Sequence, residues 1–189
     1  GRIGRIIVHP TDPNIVYVCV LGRATGPQQE RGVYKTADGG RTWTRSLFVD
    51  VNTGCSGLSL DVKAPSTLFA GMWQVEMHTW AMFSGGPSSA IYVSHDAGAT
   101  WSKVTHPGLP ASPVGKIDVA VAPTDSRRVY ALIQTATQGS VWRSDDGGSN
   151  WRAVNYQRAL IGRAGYYINI KVSTGDANEV LIASSSFFR

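Results

Sequence analysis

The sequence has few residues that could hold a metal ion, and it has no long apolar segment. Two cysteines and four histidines occur among the 189 residues, and their spacing matches no metal-binding motif. We therefore expect no metal site and no bound cofactor. No stretch is long and apolar enough to cross a bilayer as a helix, so we also expect no membrane span.

Clustered positive charge and helical periodicity are also missing. The formal net charge of +5 comes mainly from arginines that are scattered along the chain. Proteins that bind nucleic acids usually carry a basic block or a stacking aromatic motif, and this chain has neither, so we expect no nucleic-acid partner. No amphipathic helical pattern of useful length is present. Frequent glycine, tryptophan and tyrosine favour an ordered all-β protein.

One short pattern does stand out, because it occurs three times. Each copy has a short apolar strand, a Ser or Thr, an Asp two positions later, a Gly two after that, and a Trp three further on. The residues that share the pattern are Thr36, Asp38, Gly40 and Trp43; Ser94, Asp96, Gly98 and Trp101; and Ser144, Asp146, Gly148 and Trp151. A fixed period of roughly 50 residues indicates a repeat architecture.

Each copy belongs to a longer unit of four predicted strands. In the first unit we expect strands at Gly4–Val8, Ile15–Leu21, Gly32–Thr36 and Thr42–Val49. Four-stranded units of this length are typical of β-propeller blades. The predicted blades cover approximately residues 1–50, 51–105, 106–155 and 156–189.

The fourth predicted blade is incomplete, because the sequence stops where the next Ser-x-Asp-x-Gly would begin. The chain is therefore predicted to be an incomplete arc of a propeller, with three blades and most of a fourth. An open arc leaves strand edges without partners, which natural folds avoid. We expect the remaining blades of the same protein, or a second chain, to close the ring.

The repeated pattern resembles the Asp-box, or BNR repeat. Asp-boxes occur in sialidases, sortilin-type receptors, xyloglucan-degrading glycosidases and many bacterial propellers. The first two copies match fully, and the third has Asn150 in place of Thr. The flanking sequence is similar to a bacterial group described as sortilin-like or BNR-containing glycosyl hydrolase-like. The similar segments are His9-Pro10-Thr11-Asp12-Pro13-Asn14 and Glu30-Arg31-Gly32-Val33-Tyr34-Lys35. This resemblance implies a propeller fold and an extracellular or periplasmic location.

We expect the Asp-box residues to be structural. Asp and Ser or Thr side chains fix tight turns by hydrogen-bonding to nearby backbone N–H groups, Gly permits positive φ, and Trp covers the turn. The alternative is that Asp38, Asp96 and Asp146 are catalytic acids. Three such acids around one ring would face three directions, which favours the structural role.

The two cysteines leave two alternatives open. Cys19 falls in the second predicted strand of the first unit, and Cys55 lies just before the first strand of the second unit. A disulfide across adjacent blades is possible in a secreted protein. We expect two independent buried thiols instead.

The longest predicted loop, Gly71–Ala90, is unusually aromatic. Loops of this length are often functional, and Trp73 and Trp80 could form a platform for a sugar ring or a partner peptide. The alternative is that the loop folds over the end of the propeller and packs there. The candidate ligand-binding residues are Trp73, Trp80, His78, Arg163 and Tyr166.

Catalysis would need a pair of carboxylates. Glycoside hydrolysis normally uses two acids on either side of the sugar, and the candidates are Glu76 in the long loop and Asp118 at the start of an inner strand. Sialidases bind a substrate carboxylate with an arginine cluster, and the resemblance makes Arg5, Arg23, Arg31 and Arg163 candidates for that role, although they match no sialidase motif residue by residue. No pair of acids can be assigned from spacing alone.

Two functions therefore remain open. One is a module that binds a protein or glycan through the face that carries the long loops, and this is the function we expect. The other is part of a glycoside hydrolase, sialidase-like or xyloglucanase-like, with carboxylates at the end of the channel.

Overall fold

The computed structural model of the protein describes residues 1–23 and 25–189, and most of its regular structure is β-strand. The described part has no α-helix, and its one 3-10 helix is Arg158–Ile161. The strands in chain order are β1 (Arg2–Val8), β2 (Val16–Gly22), β3 (Gly32–Thr36), β4 (Thr44–Leu47), β5 (Thr53–Leu60), β6 (Leu68–Met77), β7 (Met82–Ser84), β8 (Ala90–Ser94), β9 (Ser102–Lys103), β10 (Ile117–Ala122), β11 (Asp125–Ile133), β12 (Val141–Ser144), β13 (Arg152–Asn155), β14 (Asn169–Val172), β15 (Val180–Ala183) and β16 (Phe187–Phe188). The all-β prediction is confirmed.

The strands form four antiparallel sheets in a propeller arrangement. Sheet I contains β1–β4, sheet II contains β5–β9, sheet III contains β10–β13 and sheet IV contains β14–β16. Within sheets I and III each strand pairs with the next in sequence, as expected for a meander. Sheet II follows the same order except that β7 pairs only with β6. The four predicted strands of the first unit are therefore confirmed, with ends that differ by a few residues.

Neighbouring sheets pack face to face through apolar side chains. Successive side chains of a strand point to opposite faces of the sheet, so the middle sheets II and III, which have a neighbour on either side, bury both faces. The inner strands β1, β5, β10 and β14 lie closest to the common axis and contact one another in sequence from β1 to β14. Buried residues at the three successive interfaces include Tyr17, Leu58 and Leu68; Phe69, Val119 and Trp142; and Leu132, Ile170 and Ile182.

One face of sheet I lacks such a neighbour. Ile6 and Val8 of β1 are 60% and 54% exposed, whereas Leu58 and Leu60 at the equivalent positions of β5 are 0% and 7% exposed. The same difference separates equivalent Asp-box tryptophans: Trp43 is 44% exposed, and Trp151 is 5% exposed. The residue types are similar, so the neighbouring sheet accounts for the difference.

The Asp-box turns are held together by local hydrogen bonds. In the second copy, the Ser94 hydroxyl donates to Asp96 Oδ1 at 2.8 Å, and the Gly98 N–H donates to Ser94 Oγ at 2.8 Å. The N–H and hydroxyl of Thr100 donate to the two carboxylate oxygens of Asp96 at 2.8 and 2.5 Å. Gly98 has φ of +81°, which favours glycine. These contacts explain the spacing of the motif.

The third copy keeps this geometry despite its different residue. The Asn150 side-chain amide donates to Asp146 Oδ2 at 2.7 Å, in place of the threonine hydroxyl, and the Asn150 N–H donates to Asp146 Oδ1 at 2.8 Å. Asparagine can therefore replace threonine here without loss of the carboxylate's hydrogen bonds.

Replacement of Asp96 by alanine is expected to lower the melting temperature at pH 7 by a few degrees. Hydrogen bonds, first of all from the Thr100 hydroxyl, hold the pKa of Asp96 at about 2. The stabilisation is therefore present above the unfolded carboxyl pKa of about 3.9 and is lost as the pH falls through about 2. Thermal melts of the protein and of Asp96→Ala between pH 2 and 7 would measure whether the difference between their melting temperatures shrinks as the pH falls.

The structural role of the Asp-box also predicts the ligand affinity of the same variant. Asp96→Ala should leave the ligand affinity of folded molecules unchanged, and Glu30→Ala, which removes an exposed acid elsewhere, provides the control for charge. Reduced affinity of fully folded Asp96→Ala would contradict the structural role of the Asp-box.

The two cysteines form a disulfide, so the expectation of two independent thiols is wrong. Cys19 of β2 is bonded to Cys55 of β5, and both residues are fully buried. The bond joins sheet I to sheet II. Adjacent sheets bring these strands together although 36 positions separate the cysteines in sequence.

Candidate functional site

The connections between strands divide between two ends of the molecule. The Asp-box turns contact the β1–β2 turn, the β5–β6 turn and the start of β11. Gly39 N–H donates to Asn14 O, Ala97 N–H to Ser66 O, and Gly147 N–H to Arg127 O, at 3.0, 2.8 and 2.8 Å. These turns therefore share one end, which we call the Asp-box end. The longer connections lie at the opposite end, which we call the loop-rich end.

The segment predicted as the loop Gly71–Ala90 is largely a β-hairpin, and the loop prediction is wrong in that respect. Strand β6 continues to Met77 and pairs with β7. Trp73 is 1% exposed, and its indole N–H donates to Ser84 Oγ at 3.1 Å, while the Ser84 hydroxyl donates to Gln134 Oε1 at 2.6 Å. The base of the hairpin is therefore packed against sheet III, and Trp73 does not offer an open ring face.

The tip of the hairpin is different, because its aromatic rings face solvent. Trp80 is 79% exposed and Phe83 is 57% exposed. The His78 ring stacks on Trp80 with centroids 4.7 Å apart, and His78 Nε2 lies 2.8 Å from Glu76 Oε1. A wide, exposed indole that is supported by a second ring is suited to stacking against the apolar face of a sugar. We call Glu76, His78, Trp80 and Phe83 the hairpin tip.

Asp118, the other carboxylate candidate, lies in the centre of the molecule and is fully buried. It accepts hydrogen bonds from Arg5 Nη2 at 3.0 Å, from Ile170 N–H at 2.9 Å and from Val119 N–H at 2.9 Å. Burial raises the pKa of Asp118, and the Arg5 charge and the hydrogen bonds act against that rise. Its oxygens are therefore already occupied by protein donors.

Arg5 extends the same network to the other two sheets. Its Nη1 donates to the Leu58 carbonyl oxygen of sheet II at 3.0 Å, and its Nη2 lies 3.3 Å from Asn169 Oδ1 of sheet IV. The Arg5–Asp118 pair thus contacts the inner strands of all four sheets. This explains why an arginine and an aspartate occur in otherwise apolar inner strands.

The other arginines named from the sequence are dispersed. Arg31 is fully buried and donates to the carbonyl oxygens of Asn52, Val75 and Arg23, so its role is structural. Arg163 is exposed in the segment after the 3-10 helix. The guanidinium groups of Arg5 and Arg31 are thus bonded to protein oxygens, which does not favour a shared carboxylate site with Arg23 and Arg163.

Lys116 is a candidate that the sequence analysis missed. It precedes β10, is 8% exposed, and its Nζ lies 5.3 Å from the centre of the Trp73 ring and 3.3 Å from the Tyr166 carbonyl oxygen. With Arg2 and Tyr166 these residues line a cavity of about 150 Å³. The sequence feature that could have identified Lys116 is the position of a lysine directly before an apolar inner strand.

The structure gives two further findings on metals and membranes. Within residues 1–23 and 25–189, no group of three or more His, Cys, Asp and Glu residues is arranged to hold a metal ion. No helix in that part of the chain has the length and apolar character needed to cross a membrane.

Comparison with known proteins supports the Asp-box assignment. The BNR/Asp-box repeat matches residues 92–103. The chain is 28% identical over 173 residues to a xyloglucanase of Hypocrea jecorina, covering 82% of this chain and 19% of that protein. Residues 92–103 are therefore an Asp-box repeat, and the similarity to BNR-containing, glycosyl hydrolase-like proteins is confirmed.

Solved structures show the same fold. The GH74 enzyme of Niastella koreensis matches with a TM-score of 0.69 at 21% identity, over 98% of this chain and 29% of that chain. The GH74 xyloglucanase of Xanthomonas campestris matches with a TM-score of 0.65 at 15% identity, over 95% and 26% respectively. The chain therefore spans less than a third of these proteins.

Proposed function

We propose that this chain is a glycan-binding part of a xyloglucan-active glycoside hydrolase propeller. The observation that carries the proposal is the hairpin tip, where Trp80 is 79% exposed and stacks with His78. The similarity to proteins named xyloglucanase supplies the substrate class. The binding surface is the loop-rich end, and Trp80 is its main contact with the sugar chain.

A second candidate is a propeller module that binds a glycan or protein without catalysis. A specific observation favours it: each of the two carboxylates named from the sequence is bonded to another side chain of the protein. Glu76 is paired with His78, and Asp118 is buried with Arg5. A hydrolase needs two acids about 5–10 Å apart beside the sugar, and neither of these two carboxylates is free of a protein partner.

Replacement of Trp80 by alanine should weaken binding of xyloglucan oligosaccharides by about tenfold or more, because an exposed aromatic contact often contributes above 1.4 kcal/mol. Folding should be unaffected, since the ring is mostly in solvent. Isothermal titration calorimetry of the protein and of Trp80→Ala would measure the loss, and thermal melts would verify folding.

Trp43→Ala is the matched control, because Trp43 is also partly exposed but lies in an Asp-box turn. It should leave the affinity unchanged. Equal affinities of the protein and of Trp80→Ala, with folding intact, would remove the hairpin tip from the site. An assay for released reducing sugar, run with the same oligosaccharides, separates the hydrolase from the binding module.

We further propose that the chain is an incomplete arc and that another Asp-box blade covers the exposed face of sheet I. The exposed Ile6, Val8 and Trp43 are equivalent to residues that neighbouring blades cover in sheets II and III. That blade comes from the same protein or from a second chain. An extracellular or periplasmic location is part of the proposal, and the Cys19–Cys55 disulfide supports it, because such bonds persist in oxidising compartments.

A further inference from the structure

The cavity beside Lys116 is lined by two basic residues and by no acidic residue among those described. It opens at the loop-rich end and is lined by β1, β5, β6 and the segment after the 3-10 helix. Arg2 and Lys116 are its charged residues, and none of the described residues that line it is acidic. The cavity is therefore positively charged.

Lys116 lacks a counter-charge of its own. Within the described part of the chain it forms no ion pair, and its one hydrogen-bond acceptor is the Tyr166 carbonyl oxygen at 3.3 Å. Burying an ammonium group without a partner carries a large cost. Burial accordingly lowers the pKa of Lys116, Asp118 acts to raise it, and Arg2 acts to lower it.

Asp118, the acidic residue two positions after Lys116, does not remove this excess charge. Asp118 is already paired with Arg5 at 3.0 Å and accepts two backbone hydrogen bonds. The Arg5–Asp118 pair is neutral as a unit, so Lys116 and Arg2 leave two positive charges at the cavity.

We propose that this cavity binds the carboxylate group of a sugar acid, a uronate. The Lys116 ammonium is the counter-charge inside the cavity, and Arg2 is the second donor at its rim. A volume of about 150 Å³ accommodates a small anionic group and excludes a polymer chain. Tyr166, which is 71% exposed, supplies an aromatic ring at the rim for the sugar.

This site is separate from the proposed xyloglucan contact. The xyloglucan proposal depends on Trp80 at the hairpin tip, whereas the uronate proposal depends on Lys116 and a charged ligand. Loss of xyloglucan binding in Trp80→Ala and loss of glucuronate binding in a Lys116 variant are therefore independent results, and either proposal can fail alone.

The test is calorimetric titration of the protein with glucuronate, glucose and acetate. Glucuronate should bind at least about tenfold more tightly than glucose, because glucose lacks the charge, and more tightly than acetate, which lacks the ring. Lys116→Met removes the charge and retains the apolar stem, and it should weaken glucuronate binding by about tenfold or more. Lys103→Met, at an exposed lysine, is the matched control and should bind as the unmodified protein does.

Several outcomes would overturn the proposal. These are no binding of glucuronate, equal binding of glucose, or full retention of glucuronate binding by Lys116→Met. Acetate binding as tight as that of glucuronate would overturn the assignment to a sugar acid. If Lys116→Met does not fold, Arg2→Gln at the exposed rim replaces it, and an unchanged affinity in that variant contradicts the proposal.

Discussion

Replacement of Arg5 by methionine is expected to lower the free energy of unfolding at pH 7 by about 3–5 kcal/mol, the usual result of removing one partner from a buried ion pair. The variant leaves the Asp118 carboxylate without its charge partner in the centre of the four sheets. It also removes the hydrogen bonds from Arg5 to Leu58 and Asn169. Urea denaturation of the protein and of Arg5→Met would measure the difference.

The loss should depend on pH in a defined direction. Burial already raises the pKa of Asp118, and removal of Arg5 raises it further. A carboxyl whose pKa is raised on folding stabilises the folded state when protonated, and this contribution is lost as the pH rises through the folded-state pKa. Arg5→Met should therefore be less destabilised, relative to the unmodified protein, at pH 5 than at pH 7.

Two further variants test whether the pair itself is responsible. Asp118→Asn removes the charge that Arg5 balances and keeps one of the two oxygens that accept from the Ile170 and Val119 N–H groups. Combining it with Arg5→Met should therefore cost less than the sum of the two single changes. Arg2→Met removes an exposed arginine of the same strand and should change the stability little. Additive losses, or the same loss at both pH values, would contradict the central role of this ion pair.

Removal of the Cys19–Cys55 disulfide is expected to have an effect of similar size. The bond closes a loop with 36 positions between its ends, and loss of a native disulfide typically costs about 2–5 kcal/mol. The double variant Cys19→Ala/Cys55→Ala should therefore unfold at lower urea concentration than the oxidised protein.

Reductant provides the matched comparison. The protein should lose stability when it is unfolded in the presence of a strong reductant, and the double variant should be insensitive to it. Equal stability of the unmodified protein with and without reductant would show that the bond contributes nothing to folding.

The Asp-box turns could be predicted from sequence because their contacts are local. All of the hydrogen bonds that define the second turn join residues within four positions of one another. Residue types and spacing therefore carry most of the geometry, and the Asn150 copy follows the same logic. The succession of blades follows from the period of these turns.

The disulfide could not be predicted in the same way. Cys19 and Cys55 belong to different sheets, and their proximity depends on how β2 and β5 pack. The spacing of two cysteines contains no information on that packing, so both alternatives remained open and the favoured one was wrong.

The candidate site was predicted only in part. Aromatic content drew attention to the segment that forms the hairpin, but treating it as a loop concealed the alternation of β6, which turns Trp73 and Val75 inward. Trp80 lies beyond the end of that strand and stays exposed. Lys116 was missed because a single lysine beside an apolar strand is normally a surface residue, and its burial depends on the distant Trp73 and Tyr166.

The ion pair between Arg5 and Asp118 also restricts how a carbohydrate can reach the molecule. Asp118 is fully buried where the inner strands meet, and the pair contacts strands of all four sheets. Bonded side chains thus fill the space between these inner strands at that point. In the proposed function, a sugar chain therefore contacts the surface of the loop-rich end and does not reach the Asp118 carboxylate.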